Sequence, residues 1–230
     1  MEQYFFVTGT DTDIGKTLAS CALLQAADRI GYRSIGYKPV ASGCILTPDG
    51  VRSVDALALM ANSNIVLSYD QVNAVSLFTS TAPHIACRIE RKNIDIGLLS
   101  QGLHALRMIA DVVVIEGTGG WLTPLGAEFN FSDWVIAERL PVILVVGIKL
   151  GVINHSLLTA LAIQKAGLQL VGWIANHPLK AIEFSREYIM DLKNRLDAPL
   201  LGTIPYLNGS EKKVLGHYLN FSLLKDYVSL

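Results

Sequence analysis

Little net charge, little cysteine and no long apolar run mark this 230-residue chain, and each shortage removes a class of function. Nineteen Lys and Arg stand against 20 Asp and Glu, so the basic surplus that grips a nucleic-acid backbone is missing. Although 51% of the residues are hydrophobic and only 17% are charged, no run approaches the ~20 apolar residues of a membrane span. Neither a nucleic acid nor a membrane is an expected partner. Cys21, Cys44 and Cys87 are odd in number, far apart and free of C-x-x-C spacing, which excludes a disulfide framework or a zinc ribbon. They read as reduced packing residues. Met1-Glu2-Gln3 leads at once into strand-forming residues without a basic leader, so a cytoplasmic location is expected. None of the five histidines stands in a ligand pattern such as H-E-x-x-H: His84, His104 and His217 read as surface or packing residues, while His155 and His177 fall near strand ends. A chain of this length is expected to form one domain, residues 1–230, and to bury roughly 70% of its unfolded surface.

What is present is concentrated first in Gly9-Thr10-Asp11-Thr12-Asp13-Ile14-Gly15-Lys16-Thr17, directly after the apolar run Tyr4-Phe5-Phe6-Val7. A loop of small residues between a strand and a helix turns successive N–H groups inward at the helix's positive end, which makes an anion cradle. Gly15 allows close approach of phosphate, Lys16 brings a mobile positive charge to the β/γ oxygens, and Thr17 offers a hydroxyl to Mg²⁺. The helix that must follow is carried by Leu18, Cys21, Ala22, Leu24, Gln25 and Ala26 and is ended by Gly31. Five residues separate Gly9 from Gly15 where the usual spacing is four, so Thr10 occupies the place of the first glycine. The loop is a variant of the common pattern.

Further along, a strand over Ser34–Lys38 runs into Lys38-Pro39-Val40-Ala41-Ser42-Gly43, whose Pro39 and Gly43 predict a loop at the strand's carboxyl end, the edge where ligands sit in doubly wound sheets. Asp55 falls in the first turn of a helix, where a carboxylate also has the plain role of answering the helix dipole. The middle is least informative: an apolar fragment near Asn73–Leu77, a helix from about Pro83, and a helical pattern over Ile94–Ile109. Asp111-Val112-Val113-Val114-Ile115-Glu116 is then a fully buried strand that stops at an acid. A carboxylate in that place is the expected second anchor for Mg²⁺, and Gly117, Gly119 and Gly120 after it read as a tight turn near phosphate. A short helix over Asp133–Glu138, a strand Val142–Val146, a helix Ile153–Ala166 opened by Gly151, a strand Val171–Asn176, a helix near Ile182–Leu196 and a strand Leu200–Ile204 complete the alternation. About seven strands with helical crossovers predict a mostly parallel, doubly wound α/β sheet flanked by helices.

Taken together, the motifs resemble the ATP-dependent dethiobiotin synthetase family along essentially the whole chain. The resemblance rests on the phosphate loop, Tyr37-Lys38-Pro39-Val40-Ala41-Ser42-Gly43, Asp55-Ala56-Leu57, Glu116-Gly117-Thr118-Gly119-Gly120-Trp121, Gly151-Val152-Ile153-Asn154-His155, Gly172-Trp173-Ile174-Ala175-Asn176 and Pro205-Tyr206-Leu207. It implies a P-loop NTPase-type fold and the joining of CO₂, drawn from bicarbonate, to 7,8-diaminononanoate with consumption of ATP in biotin synthesis. It assigns Lys16 and Lys38 to catalysis, and Thr17, Asp55 and Glu116 to Mg²⁺. The nucleotide would also touch Asp13, Ile14, Gly15, Leu18, Gly117, Thr118, Gly119, Asn176, His177, Pro205, Tyr206, Leu207 and, at the ribose, Glu211. Thr12, Lys38 and Ser42 would hold the diamine or its carbamate, with the distal carboxylate at Gly151, Val152 and Asn154 and Tyr188 reaching over from a partner in a homodimer. Thr118 stands where many relatives carry alanine, and His177 where an acid is common.

Other classes share the phosphate loop. Partner-regulated ATPase switches usually carry an extra lysine early in that loop, and Thr10–Ile14 contains none. An amidotransferase-type synthetase would need a glutaminase domain for which the chain has no room, and a small-molecule kinase would leave the Lys38–Ser42 segment without a stated task.

Overall fold

The structure, a computed structural model, describes residues 3–180, 182–209 and 213–224. Its elements, in chain order, are β1 (Gln3–Gly9), α1 (Lys16–Asp28), β2 (Ser34–Tyr37), β3 (Val40–Ala41), β4 (Ile45–Thr47), β5 (Gly50–Arg52), α2 (Val54–Asn62), α3 (Tyr69–Val72), β6 (Val75–Ser76), α4 (Pro83–Glu90), α5 (Ile96–Arg107), β7 (Val112–Glu116), α6 (Phe131–Ala137), β8 (Val142–Gly147), α7 (Val152–Lys165), β9 (Leu170–Asn176), α8 (Ser185–Arg195) and β10 (Leu200–Ile204).

Six strands form one parallel sheet in the order β10-β9-β8-β1-β7-β2. Every residue of β7 and β8 is buried, as their unbroken valine, isoleucine and leucine runs require in a sheet covered on both faces. Each large aliphatic side chain enclosed there contributes roughly 1.5–3 kcal/mol. Because β1 lies between β7 and β8, the chain passes to opposite sides of it, and the crevice beyond the carboxyl ends of these strands is the natural ligand position.

The expected seventh strand is the fragment near Asn73–Leu77, and it does not join this sheet. Only Val75–Ser76 is extended, pairing with β3 in a separate two-stranded parallel sheet. The Lys38–Ser42 segment, expected as a loop, therefore contains a strand, and the chain leaves the main sheet at Lys38, whose N–H is donated to the Val72 carbonyl. The hairpin β4–β5 was not foreseen.

Helix boundaries moved for identifiable reasons. Helix α6 starts at Phe131 because Asn130 and Asp133 close a capping box, and α5 starts at Ile96 because the Asp95 side chain caps it. Helix α8 begins only at Ser185, since Phe184 has φ 59°, which no helix continues through. All three cysteines are free and buried, as expected. Among the described residues, no helix is long and apolar enough to cross a membrane.

Candidate active site

The phosphate loop is held by a hydrocarbon wedge. Ile14 is 2% exposed, and its side chain fills the space that a Cβ would need at Gly9, 2.8 Å away, and at Gly147, 2.6 Å away. Gly15 then turns at φ 90° against the Asn176 side chain, a position open only to glycine on both counts. Helix α1 begins immediately afterwards with no side-chain cap, so its first N–H groups face the crevice. Lys16 folds back over the loop, donating to the Asp11 carbonyl at 2.9 Å. Burial, with a contribution from the nearby Lys38 ammonium, pushes the Lys16 pKa down to about 8. Lys149 is 2.6 Å from the Asp11 carboxylate and ties the loop to the start of α7.

A second cation comes from the end of β2. The Lys38 ammonium is 2.6 Å from Glu116 Oε1, 3.1 Å from Asp55 Oδ2 and 2.9 Å from the Gly117 carbonyl. Burial alone would push its pKa down, but Glu116 and Asp55 together outweigh that and hold it above the ordinary value. Burial likewise favours a neutral Asp55, and Lys38 overcomes it, keeping that carboxyl low. Thr17 Oγ1 lies 2.9 Å from both Asp55 Oδ1 and Glu116 Oε1. Ser53, not Asp55, caps α2, so the carboxylate is not spent on its own helix.

The same three oxygen-bearing side chains fit a hard divalent cation. Glu116 is fully buried, yet among the described residues its Oε2 has no hydrogen-bond partner, an unsatisfied lone pair of the kind a metal or its water would take up. Among the described residues no group of three or more His, Cys, Asp or Glu could hold an ion by itself. Two acids and a hydroxyl instead suit Mg²⁺, which keeps waters and phosphate oxygens as its remaining ligands.

These groups open into a cavity of about 920 Å³. It brings together Thr12, Asp13, Gly15, Lys16, Thr17, Lys38, Ser42, Asp55, Glu116, Thr118 and Gly119, which come from four separate stretches of sequence. The Thr118 hydroxyl donates to the Val40 carbonyl, fastening the glycine-rich turn after β7 to β3. Sequence reasoning missed the opposite wall, Ser80–Pro83 and Leu122–Pro124. The only signal for the first was Pro83 at a helix start.

Other expected residues lie apart from this cavity. His177, Pro205 and Tyr206 line a second one of about 620 Å³, where burial pushes the His177 pKa down. Asn176 donates to the Ile14 carbonyl at 2.7 Å, and its buried Oδ1 has no hydrogen-bond partner among the described residues. Leu207 is 7% exposed and belongs to the core, while Leu18 packs half-buried against it. Glu211 lies outside the described residues. Gly151, at φ 89°, precedes the uncapped start of α7, where Val152 is buried and Asn154 exposed. Tyr188 leans on the cluster around Trp173 in its own chain. His104 meets Glu138 at 3.0 Å and His217 stacks on Tyr218, in keeping with surface and packing roles.

Comparison with known proteins agrees with this geometry. A family model described as an AAA domain matches residues 3–214. The ATP-dependent dethiobiotin synthetase BioD of Baumannia cicadellinicola subsp. Homalodisca coagulata is 57% identical over 97% of this chain and 100% of its own length. BioD 1 of Escherichia coli strain K12 is 52% identical over 97% and 100%. Among solved structures, the MinC:MinD cell division complex of Aquifex aeolicus aligns with TM-score 0.60 at 11% identity, over 99% of this chain and 97% of that one. A ParA family ATPase from Chlorobium tepidum TLS aligns with TM-score 0.55 at 14% identity, over 98% and 93%. The last two establish the fold alone. With identity above half along nearly its whole length, and with the phosphate loop, Lys38 and Glu116 converging in one cavity, this chain belongs to the ATP-dependent dethiobiotin synthetase family.

Proposed function

We propose that the protein uses MgATP to join CO₂ to 7,8-diaminononanoate and close the ureido ring of dethiobiotin, with residues 1–230 acting as one catalytic domain. The observation that carries this reading is Lys38. A second buried ammonium, delivered beside Thr17, Asp55 and Glu116 from the Lys38–Ser42 segment, supplies what a simple nucleotide hydrolase does not need.

In this reading one substrate amine captures CO₂ as a carbamate with loss of a proton. A carbamate oxygen then attacks the γ-phosphorus, the bond to the ADP oxygen breaks, and ADP leaves. The second amine attacks the carbonyl of the resulting mixed anhydride, expelling phosphate and losing a proton as the ring closes. Such chemistry needs positioning and charge neutralisation more than a covalent residue. Lys16 and the N–H groups at the start of α1 hold the β- and γ-phosphates, with Asp13, Ile14, Gly15, Leu18, Gly117, Thr118 and Gly119 around them. Mg²⁺, held by Thr17, Asp55 and Glu116, would neutralise charge on the phosphate oxygens. Lys38 steadies the carbamate, and Thr12 and Ser42 orient the diamine. Asn176 reads the base, flanked by His177 and Pro205–Leu207, with Glu211 near the ribose.

The substrate's far carboxylate is assigned to the start of α7, at Gly151, Val152 and Asn154. Tyr188 completes that end from a second copy, which makes a homodimer part of the proposal. Leu150, next to Gly151, and Phe184 and Met190, within six residues of Tyr188 in sequence, are exposed apolar side chains that a second copy would bury. A cytoplasmic location goes with this metabolic role.

Incubation with the diamine, bicarbonate and MgATP tests the function: dethiobiotin and ADP should appear in equal amounts. ADP formed at the same rate without diamine would instead support an ATPase switch. Light scattering tests the dimer, and a monomer at working concentration would remove Tyr188 from the site.

A further inference from the structure

Lys38 and Asp55 sit on different elements, and a partly buried polar network outside the cavity runs between the backbone near each. The Lys38 carbonyl accepts from Asn73 Nδ2 at 2.6 Å, and Asn73 is 4% exposed. Asn73 Oδ1 accepts from the Tyr69 hydroxyl at 3.0 Å and also from the Ser76 hydroxyl. The Tyr69 hydroxyl in turn accepts from the backbone N–H of Ser53 at 2.6 Å. Ser53 is the cap of α2, two residues before Asp55. From the back, the Arg52 guanidinium covers the Tyr69 ring at 4.2 Å.

We propose that Tyr69 and Asn73 are positioning residues that rivet the strand end bearing Lys38 to the helix start bearing Asp55, so that the ammonium and the metal-holding carboxylate keep their working distance. The mechanism gives neither residue a task, and neither lines the active-site cavity. Their polar atoms are nonetheless paired with the two backbone positions whose separation matters. In a buried network each partner is held by the others, so loss of one hydroxyl is felt at both ends. A packing role alone would ask only for the ring and the carboxamide's volume. The phenol and the amide answer Ser53 N–H and Lys38 C=O specifically.

The proposal rests on the reading above only in taking Lys38 and Asp55 as working groups. Tyr69→Phe keeps shape and removes the hydroxyl, and Asn73→Ala breaks the other end. Ser34→Ala, which removes a buried hydroxyl bond to the Leu24 carbonyl in the core, serves as the comparison for general loosening. Each full-length variant is assayed for kcat, for KM toward ATP, and for the Mg²⁺ concentration that half-saturates ADP binding in calorimetry. Tyr69→Phe should lower kcat roughly ten- to hundredfold with KM for ATP within about twofold, because a small misplacement of catalytic groups acts on turnover. It should also raise the half-saturating Mg²⁺ several-fold, and Ser34→Ala should do neither. If Asn73→Ala fails to fold, Tyr69→Phe decides alone. A Tyr69→Phe enzyme with lowered melting temperature but unchanged kcat and Mg²⁺ dependence overturns the proposal. Absence of dethiobiotin from wild type would overturn the functional reading instead, leaving the Mg²⁺ measurement to judge the network.

Discussion

The two walls of the active-site cavity are built in opposite ways. One is the phosphate loop, Thr12 to Thr17, a single short stretch whose geometry is fixed by its own glycines and by Ile14 beneath it. The other is assembled from Lys38, Ser42, Asp55, Ser80–Pro83, Thr118–Gly120 and Leu122–Pro124, which are far apart in sequence and meet in the folded chain. The first wall is the one proposed to hold the phosphates of ATP. The second, drawn from the end of β2, the first turn of α2 and the turns after β3, β6 and β7, is the one proposed to hold the diamine and its carbamate. The difference teaches that the common chemistry is local in sequence and the particular chemistry is not.

Removing a charge from each wall gives the largest test of that contrast. Lys16→Ala should cost on the order of a thousandfold in turnover, the scale of losing a main transition-state contact, with the melting temperature held. Lys38→Gln should cost about as much in rate, but it also leaves Glu116 buried without its partner, which destabilises by about 3–5 kcal/mol. Parallel thermal melts and rate assays separate the two; equal melts would mean that the second wall does not depend on its ion pair.

Asp55→Asn comes next. It should raise the Mg²⁺ requirement by roughly tenfold while ATP still binds, and an unchanged metal titration would return Asp55 to the helix dipole.

A smaller effect should follow pH. Lys16 loses its proton near pH 8 in the free protein, so ADP affinity should weaken as pH rises through that value, as calorimetry would record. Stability moves the other way. The folded state gives up this proton before the unfolded chain does, at an ordinary value of 10.5, so the contribution of Lys16 to stability increases between about 8 and 10.5.

Thr118→Ala should have the least effect, since one neutral hydrogen bond to the Val40 carbonyl is worth about 1 kcal/mol. A rise of about two- to threefold in KM for ATP, with KM for the diamine unchanged, is expected of a residue beside the phosphates. The reverse pattern would move Thr118 to the diamine.

How much of this was readable beforehand follows the same division. The sheet's central strands were plain because β7 and β8 are unbroken apolar runs, and Glu116 was plain because it ends one. The phosphate loop was plain despite its irregular glycine spacing, because Gly15-Lys16-Thr17 stands between a strand pattern and a helix pattern. Asn73–Leu77 misled because two extended residues with apolar neighbours look like part of a longer strand, whereas their pairing with β3 depends on where Lys38 leaves the sheet. Tyr69 and Asn73 carried no signal, because their partners are the backbone of Ser53 and Lys38, and backbone has no letter in a sequence. Asp55 could be placed on its helix turn but not across from Lys38, since no local rule spans the intervening hairpin.

The loop proposed to cradle the nucleotide's phosphates is propped from below by Ile14, a side chain with no polar atom, sealed between two glycines in the dry interior. Salt screens the pull of the lysines on phosphate, but it has no purchase on that prop. Ionic strength should therefore tune how strongly the nucleotide is drawn in while leaving the mould it settles into unchanged.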